Sequence, residues 1–251
     1  MSIEGQLENL SGGLPTGLSE GVALGIGLAE GYDFYESAIG QVIVTFNAGG
    51  VSSVDIAEGF EDRYTEKFGR RLIRAEAPSA WRRHIPEAIE RGAPGKLPVD
   101  LRSVTPFQER VLRTTATIPK GEVRPYGWVA YEIDSPRAVR AVGSAVARNP
   151  IPLIIPCHRV VRTDGHIGNY SLGGPHNKID LLEHEGARPG LLETLASHQV
   201  RVQGDASTGV YCHPTCRAVR RARPGDVVAF RSTNAAEEAG FRPCDLCRPH
   251  G

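Results

Sequence analysis

The sequence predicts three folded units in series: a lobe that mixes strands and helices, a mostly helical lobe built on a helix-turn-helix, and a small metal-bound module. Three observations carry this prediction. Residues 40–46, Gly-Gln-Val-Ile-Val-Thr-Phe, form a β-branched run that turns at Asn47-Ala48-Gly49-Gly50 and returns over residues 51–56, the pattern of a hairpin. Thr105-Pro106-Phe107 opens a stretch of helical spacings that extends to about residue 148. Two close cysteine pairs, Cys212 with Cys216 and Cys244 with Cys247, bracket the last part of the chain.

Residues 1–31 are rich in glycine and hold no sustained period, so they read as a leader or an irregular lead-in. Beyond the hairpin, residues 60–91 turn charged and helical, with interruptions at Pro78 and Pro86, and residues 92–98 read as a loop. Nothing there invites chemistry; the segment reads as scaffold, and His84, between arginines and a proline, as exposed. In the second lobe Thr105 is a helix cap with Pro106 at the first helical position, and Phe107, Val111 and Leu112 make an apolar face. Pro119-Lys120-Gly121 ends that unit. Residues 127–132 and 136–148 read as two helices joined by Ile133-Asp134-Ser135, with Ser135 capping the second.

That second helix places Arg137, Arg140, Ala141, Ser144 and Arg148 on one face. Small residues let a backbone approach a groove closely, and the arginines can reach phosphates or enter a base stack. Alanine also suits a buried helix, but three arginines on one stripe oppose complete burial.

The 29 basic and 29 acidic residues balance, so no global charge argues for nucleic acid. Locally, residues 136–162 hold five arginines (Arg137, Arg140, Arg148, Arg159, Arg162) and no carboxylate, the footprint of a phosphate-facing surface. No apolar run approaches the roughly 20 residues that cross a bilayer, and no signal peptide opens the chain. Five cysteines cannot all pair, and their spacing suits a nucleophile and a metal site better than a disulfide framework. The expectation is a soluble, cytoplasmic protein in a reducing compartment, with no membrane and no obligate protein partner.

The chemistry centres on Leu153-Ile154-Ile155-Pro156-Cys157-His158-Arg159-Val160-Val161. An apolar run too short for a helix leads into a thiol, an imidazole and a guanidinium, and reads as a buried strand delivering a nucleophile. Neighbouring cationic groups lower a thiol pKa toward the reactive thiolate. Spacing alone leaves a structural core cysteine open, because adjacent residues of a strand point to opposite faces.

The flanking residues add to this. Upstream lies Ser135-Pro136-Arg137-Ala138-Val139-Arg140-Ala141-Val142-Gly143, and downstream Gly165-His166-Ile167-Gly168-Asn169-Tyr170-Ser171. Together with Pro156-Cys157-His158-Arg159-Val160, they resemble the O6-alkylguanine-DNA alkyltransferase family over residues 32–186. The resemblance implies an α/β N-terminal lobe followed by a mostly α, helix-turn-helix alkyltransferase lobe. It implies Cys157 as the alkyl acceptor, His158 as base through a water, and Glu185 as the carboxylate that orients the imidazole. Tyr126 would assist guanine as leaving group, Arg140 would fill the gap left by a flipped base, and Asn149 would be the hinge before the nucleophile. Val160 would offer its carbonyl to the guanine amino group, and Tyr170 and Ser171 would line the base pocket. Ser171-Leu172-Gly173-Gly174 carries one residue more than the family's usual run. The product would be a thioether, so each molecule would act once, without a cofactor.

The cysteine pairs read as a tetrahedral four-thiolate zinc site, with His213 and His250 as bystanders. A structural staple is one reading of it, since a module this small buries little apolar surface. Thr208-Gly209-Val210-Tyr211-Cys212 and Gly240-Phe241-Arg242-Pro243-Cys244 also resemble the Ada-type metal-binding domain. That resemblance implies Cys212 as a second methyl acceptor, from DNA methyl phosphotriesters. Arg217, Arg220, Arg221, Arg223, Arg231 and Arg242 would supply its basic surface. Here the module follows the alkyltransferase part rather than preceding it.

The resulting expectation is a leader (1–31), an α/β lobe (32–100), a catalytic and DNA-binding lobe (101–188) and a small zinc-bound α+β module (200–251). The function is direct repair of double-stranded DNA. A non-catalytic damage sensor, an alkylation-responsive regulator and, more remotely, a cysteine hydrolase are the alternatives.

Overall fold

The computed structural model describes Val22, Leu24, residues 29–60, Tyr64 and residues 71–250. Most of the expected leader, and residues 61–63 and 65–70 of the expected helical stretch, lie outside the described residues.

The hairpin is present as β2 (Gly40–Asn47) and β3 (Gly50–Ile56). It belongs to a four-stranded sheet of order β3-β2-β1-β4, in which β1 is Ala29–Ser37 and β4 is Arg71–Arg74. Strand β1 runs antiparallel to β2 and parallel to β4. The sequence reading missed β1, because Glu30, Gly31, Asp33 and Glu36 blur its alternation. Gly31 has a specific reason to be glycine: a Cβ there would lie 2.4 Å from the Phe46 ring. In β2, Val42, Val44 and Phe46 enter the main core while Ile43 packs with Tyr32, Phe60 and Tyr64, so both faces are covered. That accounts for its unbroken apolar run.

The stretch read as helical over residues 60–91 is corrected in part. Phe60 and Tyr64 are helical, Leu72 and Ile73 lie in β4, and two further helices follow as α1 (Ser79–Arg82) and α2 (His84–Arg91). Pro78 stands just before α1 and Pro86 occupies the first turn of α2, where a missing N–H costs nothing.

Helix α3 (Pro106–Thr115) starts as its sequence dictates, with the Thr105 hydroxyl accepting from the Gln108 N–H. A short strand, β5 (Arg124–Pro125), leads into α4 (Tyr126–Glu132), and α5 (Val139–Ala147) follows. Ser135 does not cap α5. Its hydroxyl donates to Ile133 O, residues 135–138 form a turn, and the helix begins at Val139. Strand β6 (Val160–Val161) pairs parallel with β5, and α6 (Pro175–His184) closes this lobe. One core cluster runs from Val42 and Val44 of the sheet through Ile85, Val111, Leu112, Val129 and Val142 to Ile154 and Cys157. The turn that carries Cys157 is therefore packed into the core that the two lobes share.

After Gly186 the chain stays packed: Pro189 starts α7 (Pro189–Ser197), and Ala187 and Leu192 pack with Val123, Val161, Ile167 and Leu182. The last module is a four-stranded sheet of order β10-β8-β7-β9 and a short helix. Its elements are β7 (Val202–Asp205), β8 (Val210–Cys212), β9 (Val227–Phe230), α8 (Thr233–Glu238) and β10 (Arg242–Pro243). It is seated on the helix-turn-helix lobe. Thr215 Oγ1 accepts from the Val123 N–H at 2.8 Å, the Arg217 N–H donates to Glu122, Arg248 and His250 reach Glu132, and the His250 ring stacks on Tyr131 at 3.6 Å. Among the described residues no helix is long and apolar enough to cross a membrane.

Candidate functional site

The apolar run from Leu153, expected to be a strand that delivers Cys157, instead forms a buried double turn, and extended pairing begins only at β6. The Ile155 N–H donates to Ile151 O and the Cys157 N–H to Ile155 O, both at 2.8 Å, and Leu153 takes φ +70°. Pro150, Pro152 and Pro156 lack the N–H groups a ladder would need. Asn149 clamps the turn, its Oδ1 accepting from the Ile151 N–H (3.0 Å) and its Nδ2 donating to Ile155 O (2.8 Å). Cys157, His158 and Arg159 then form a single 3-10 turn, so they do not alternate across a strand, and all three are buried.

Burial pushes the Cys157 thiol up, opposed by the Asn149 side chain, the Lys178 charge and the Tyr170 hydroxyl. The Tyr170 hydroxyl finds no nitrogen or oxygen partner, and its ring meets His158 edge-on at 6.2 Å. Burial, then the Cys157 sulfur, raises the Tyr126 phenol as well. His158 Nε2 lies 3.0 Å from Glu185 Oε1, while Nδ1 is buried with no partner. Burial lowers the His158 pKa, against the pull of Glu185, which favours the neutral imidazole. For Glu185 burial acts upward, but hydrogen bonds from His158 and Arg159 outweigh it and bring the carboxyl to about 2.

Arg159 corrects an expectation. Counted among the phosphate-facing arginines, it is 1% exposed. Its Nε and Nη2 donate to Glu185 at 2.9 and 2.6 Å, Nη1 to Gly92 O and Ile118 O, and Nη2 to Arg91 O. A fully used guanidinium fork beside a carboxylate is the form in which arginine tolerates burial. Gly92 caps α2 at φ +58°, and a Cβ there would fall 2.2 Å from Arg159 Nη2. Arg162, a second member of that set, is exposed and ion-paired with Asp164.

Lys178 was missed. Its side chain is sealed in the core, and Nζ donates to Val160 O and Ile167 O, both at 2.7 Å. Desolvation lowers its pKa to about 8. The Val160 carbonyl, expected to face a base, thus already holds one donor, which leaves one lone pair. Helical spacing could have found the residue, since Lys178, Leu181, Leu182 and Glu185 share one face of α6 and its C-terminal turn.

On α5, Arg140, Ala141 and Ser144 are exposed, as are Arg137 before it and Arg148 after it, while Val142, Ala145 and Val146 pack inward. Ser171 is exposed. Leu172, the extra residue of its loop, packs into the main core.

Cys212, Cys216, Cys244 and Cys247 come together with their sulfurs within 4.8 Å of one another, all buried and none in a disulfide. Four thiols, one at the end of β8 and three on the short segments that follow β8 and β10, are the donor set of a tetrahedral thiolate site, and these residues fit a zinc ion. His213 turns away from the cluster: its Nε2 is buried without a partner, and its backbone N–H donates to Cys247 Sγ. Cys212 is 1% exposed, as closed to solvent as the rest of the cluster, in which Cys244 is the most open at 5%.

Comparison with known proteins gives this arrangement its context. Residues 106–187 match the family model described as 6-O-methylguanine DNA methyltransferase, DNA binding domain. The methylated-DNA--protein-cysteine methyltransferase of Methanosarcina barkeri is 38% identical over 152 residues, covering 57% of this chain and 89% of that protein. The chain belongs to this family. Every residue from Tyr126 to Glu185 discussed above falls within the matched domain. The crystal structure of Mycobacterium tuberculosis OGT in complex with DNA superposes on 66% of this chain and 98% of that one, with TM-score 0.52 at 33% identity. A second model, the metal binding domain of Ada, matches residues 197–250. The bifunctional transcriptional activator/DNA repair enzyme Ada of Escherichia coli is 35% identical over 167 residues, but the chain covers only 47% of its length. Methyltransferase lobe and Ada-type module thus stand side by side in one chain.

Proposed function

We propose that this methyltransferase repairs double-stranded DNA directly, moving the alkyl group of O6-alkylguanine irreversibly onto Cys157. The observation that carries the reading is the environment of that sulfur: a buried thiol set by Asn149, beside Tyr126 and Tyr170, with a neutral imidazole held by Glu185. The alkylated oxygen is out of reach inside a duplex, so the base must rotate into the pocket. Arg140, on the exposed face of α5, would occupy the vacated stack, while Arg137, Ala141, Ser144 and Arg148 lie along the groove. Val160 and Ser171 would border the base.

The thiol, raised by burial, needs a base at the moment of attack. His158 Nδ1, unpartnered and carrying no proton while Nε2–H donates to Glu185, would take it, through a water where the two do not touch. The sulfur–carbon bond forms as the carbon–O6 bond breaks. Tyr126 gives a proton to the departing guanine, and the proton lost by the thiol balances it. The products are a thioether at Cys157 and unmodified guanine. No group in the site can hydrolyse a thioether, so turnover is single.

In the last module the four cysteines would hold zinc, which keeps their thiolates ionised and staples the sheet. Cys212 would serve as acceptor for methyl phosphotriesters. Single-turnover assays with a duplex carrying O6-methylguanine test the main reading. Cys157→Ala should leave the lesion untouched while binding persists; lesion removal by that variant would sink it.

A further inference from the structure

A shallow depression beside Tyr126 is walled by Arg162, Thr163, Asp164 and Arg201. Arg201 belongs to the metal module. Its backbone N–H donates to Phe230 O at 2.8 Å, which sets it next to Arg231 at the end of β9. A wider cleft of about 510 Å³ between the two modules holds both arginines together with Arg162, Pro136 and Val139. Pro136 lies in the turn before the basic helix α5, and Val139 is its first residue. Both arginines of the metal module therefore line one cleft with the residues at the start of the helix proposed to follow the groove, and Arg201 also reaches the depression beside Tyr126.

Neither arginine has a strong partner of its own. Arg231 is exposed and, among the described residues, makes no side-chain hydrogen bond or ion pair. Arg201 Nη1 reaches only the carbonyls of Ala196 and Val200, both at 3.4 Å. The carboxylate of the depression, Asp164, is taken by Arg162. Guanidinium forks left without carboxylates match phosphate oxygens. We propose that Arg201 and Arg231 bind backbone phosphates of the same duplex whose damaged base enters the Cys157 pocket, so that the two modules form one DNA interface. This rests on the DNA-repair reading above, and it gives the metal module a role there even if Cys212 accepts nothing.

The test uses the full zinc-loaded chain, a labelled duplex carrying O6-methylguanine and a matched undamaged duplex, with affinity measured against salt. For Arg201→Ala/Arg231→Ala the slope of log K against log salt should shrink by about 1.8, or about 0.9 per phosphate contact, on both duplexes. Arg231→Ala alone breaks no side-chain hydrogen bond or ion pair among the described residues, and it should account for about half of that change. Wild-type binding with unchanged slopes in the variants overturns this inference and leaves the repair reading intact. A wild-type chain that binds neither duplex overturns both.

Discussion

His158 and Glu185 meet at 3.0 Å through Nε2 and Oε1, and the same carboxylate accepts three hydrogen bonds from Arg159. One side chain therefore orients the imidazole and neutralises the most deeply buried guanidinium beside the site. Orientation and stability cannot be separated at this position.

Glu185→Gln keeps the shape and removes the charge. It should slow transfer to Cys157 by about a hundredfold, the scale of a misplaced general base. It should also destabilise the fold by about 3–5 kcal/mol, because Arg159 is left as an uncompensated buried charge. Single-turnover rates and urea unfolding read the two effects. A slowed but fully stable variant would refute the dual role.

Acid stability follows from the same pair. Both groups have pKa values below their unfolded ones: His158 lowered by burial, Glu185 held at about 2. In each case the unfolded chain binds protons first on acidification, so the contribution to stability is present at high pH and is lost as pH falls. Unfolding free energy, followed by urea titration, should start to drop below about 6.5, where unfolded imidazoles titrate, and fall further below about 4.3. His158→Gln should remove the upper part of this decline.

Much of this was legible in the sequence. The β2–β3 hairpin, the Thr105 cap and the four-cysteine cluster each rest on local chemistry, and each formed where local chemistry placed it. Three features depended on residues far apart in the chain. Strand β1 is defined by its partners β2 and β4 rather than by its own alternation. Arg159 looks like a surface arginine until Glu185 and the carbonyls of Arg91, Gly92 and Ile118 are brought around it. The run from Leu153 to Ile155 is apolar enough for a strand, but the flanking Pro152 and Pro156 break a ladder there, and the turn held by Asn149 takes its place. Lys178 was readable from helical spacing, though its targets, the Val160 and Ile167 carbonyls, were not.

Lys178→Met preserves most of the volume but strips the donor from two buried carbonyls. The expected cost is about 2–6 kcal/mol, at about 1–3 kcal/mol for each orphaned group. A loss below about 1 kcal/mol in urea unfolding would show that Nζ contributes little.

Arg140→Ala removes an exposed side chain of α5. Stability should move by less than about 0.5 kcal/mol. Transfer from duplex DNA should fall by about tenfold or more, since a few kcal/mol of unstacking is no longer offset. Equal rates for wild type and variant on duplex would remove Arg140 from the base-flipping step.

Metal removal should act beyond the last module. Thr215, Arg217, Arg248 and His250 tie that module to Val123, Glu122, Glu132 and Tyr131. Chelation, or Cys244→Ser, should therefore unfold residues 197–250 and raise amide exchange in α4 as well. Exchange confined to the module would contradict the docking.

The most direct measurement is peptide-resolved mass spectrometry of the zinc-loaded protein after incubation with a duplex carrying O6-methylguanine. The account expects a single methyl group on the peptide containing Cys157, one per protein molecule, with the duplex guanine restored. A bare Cys157 on protein that still binds the damaged duplex would contradict it, and would leave a damage sensor in its place.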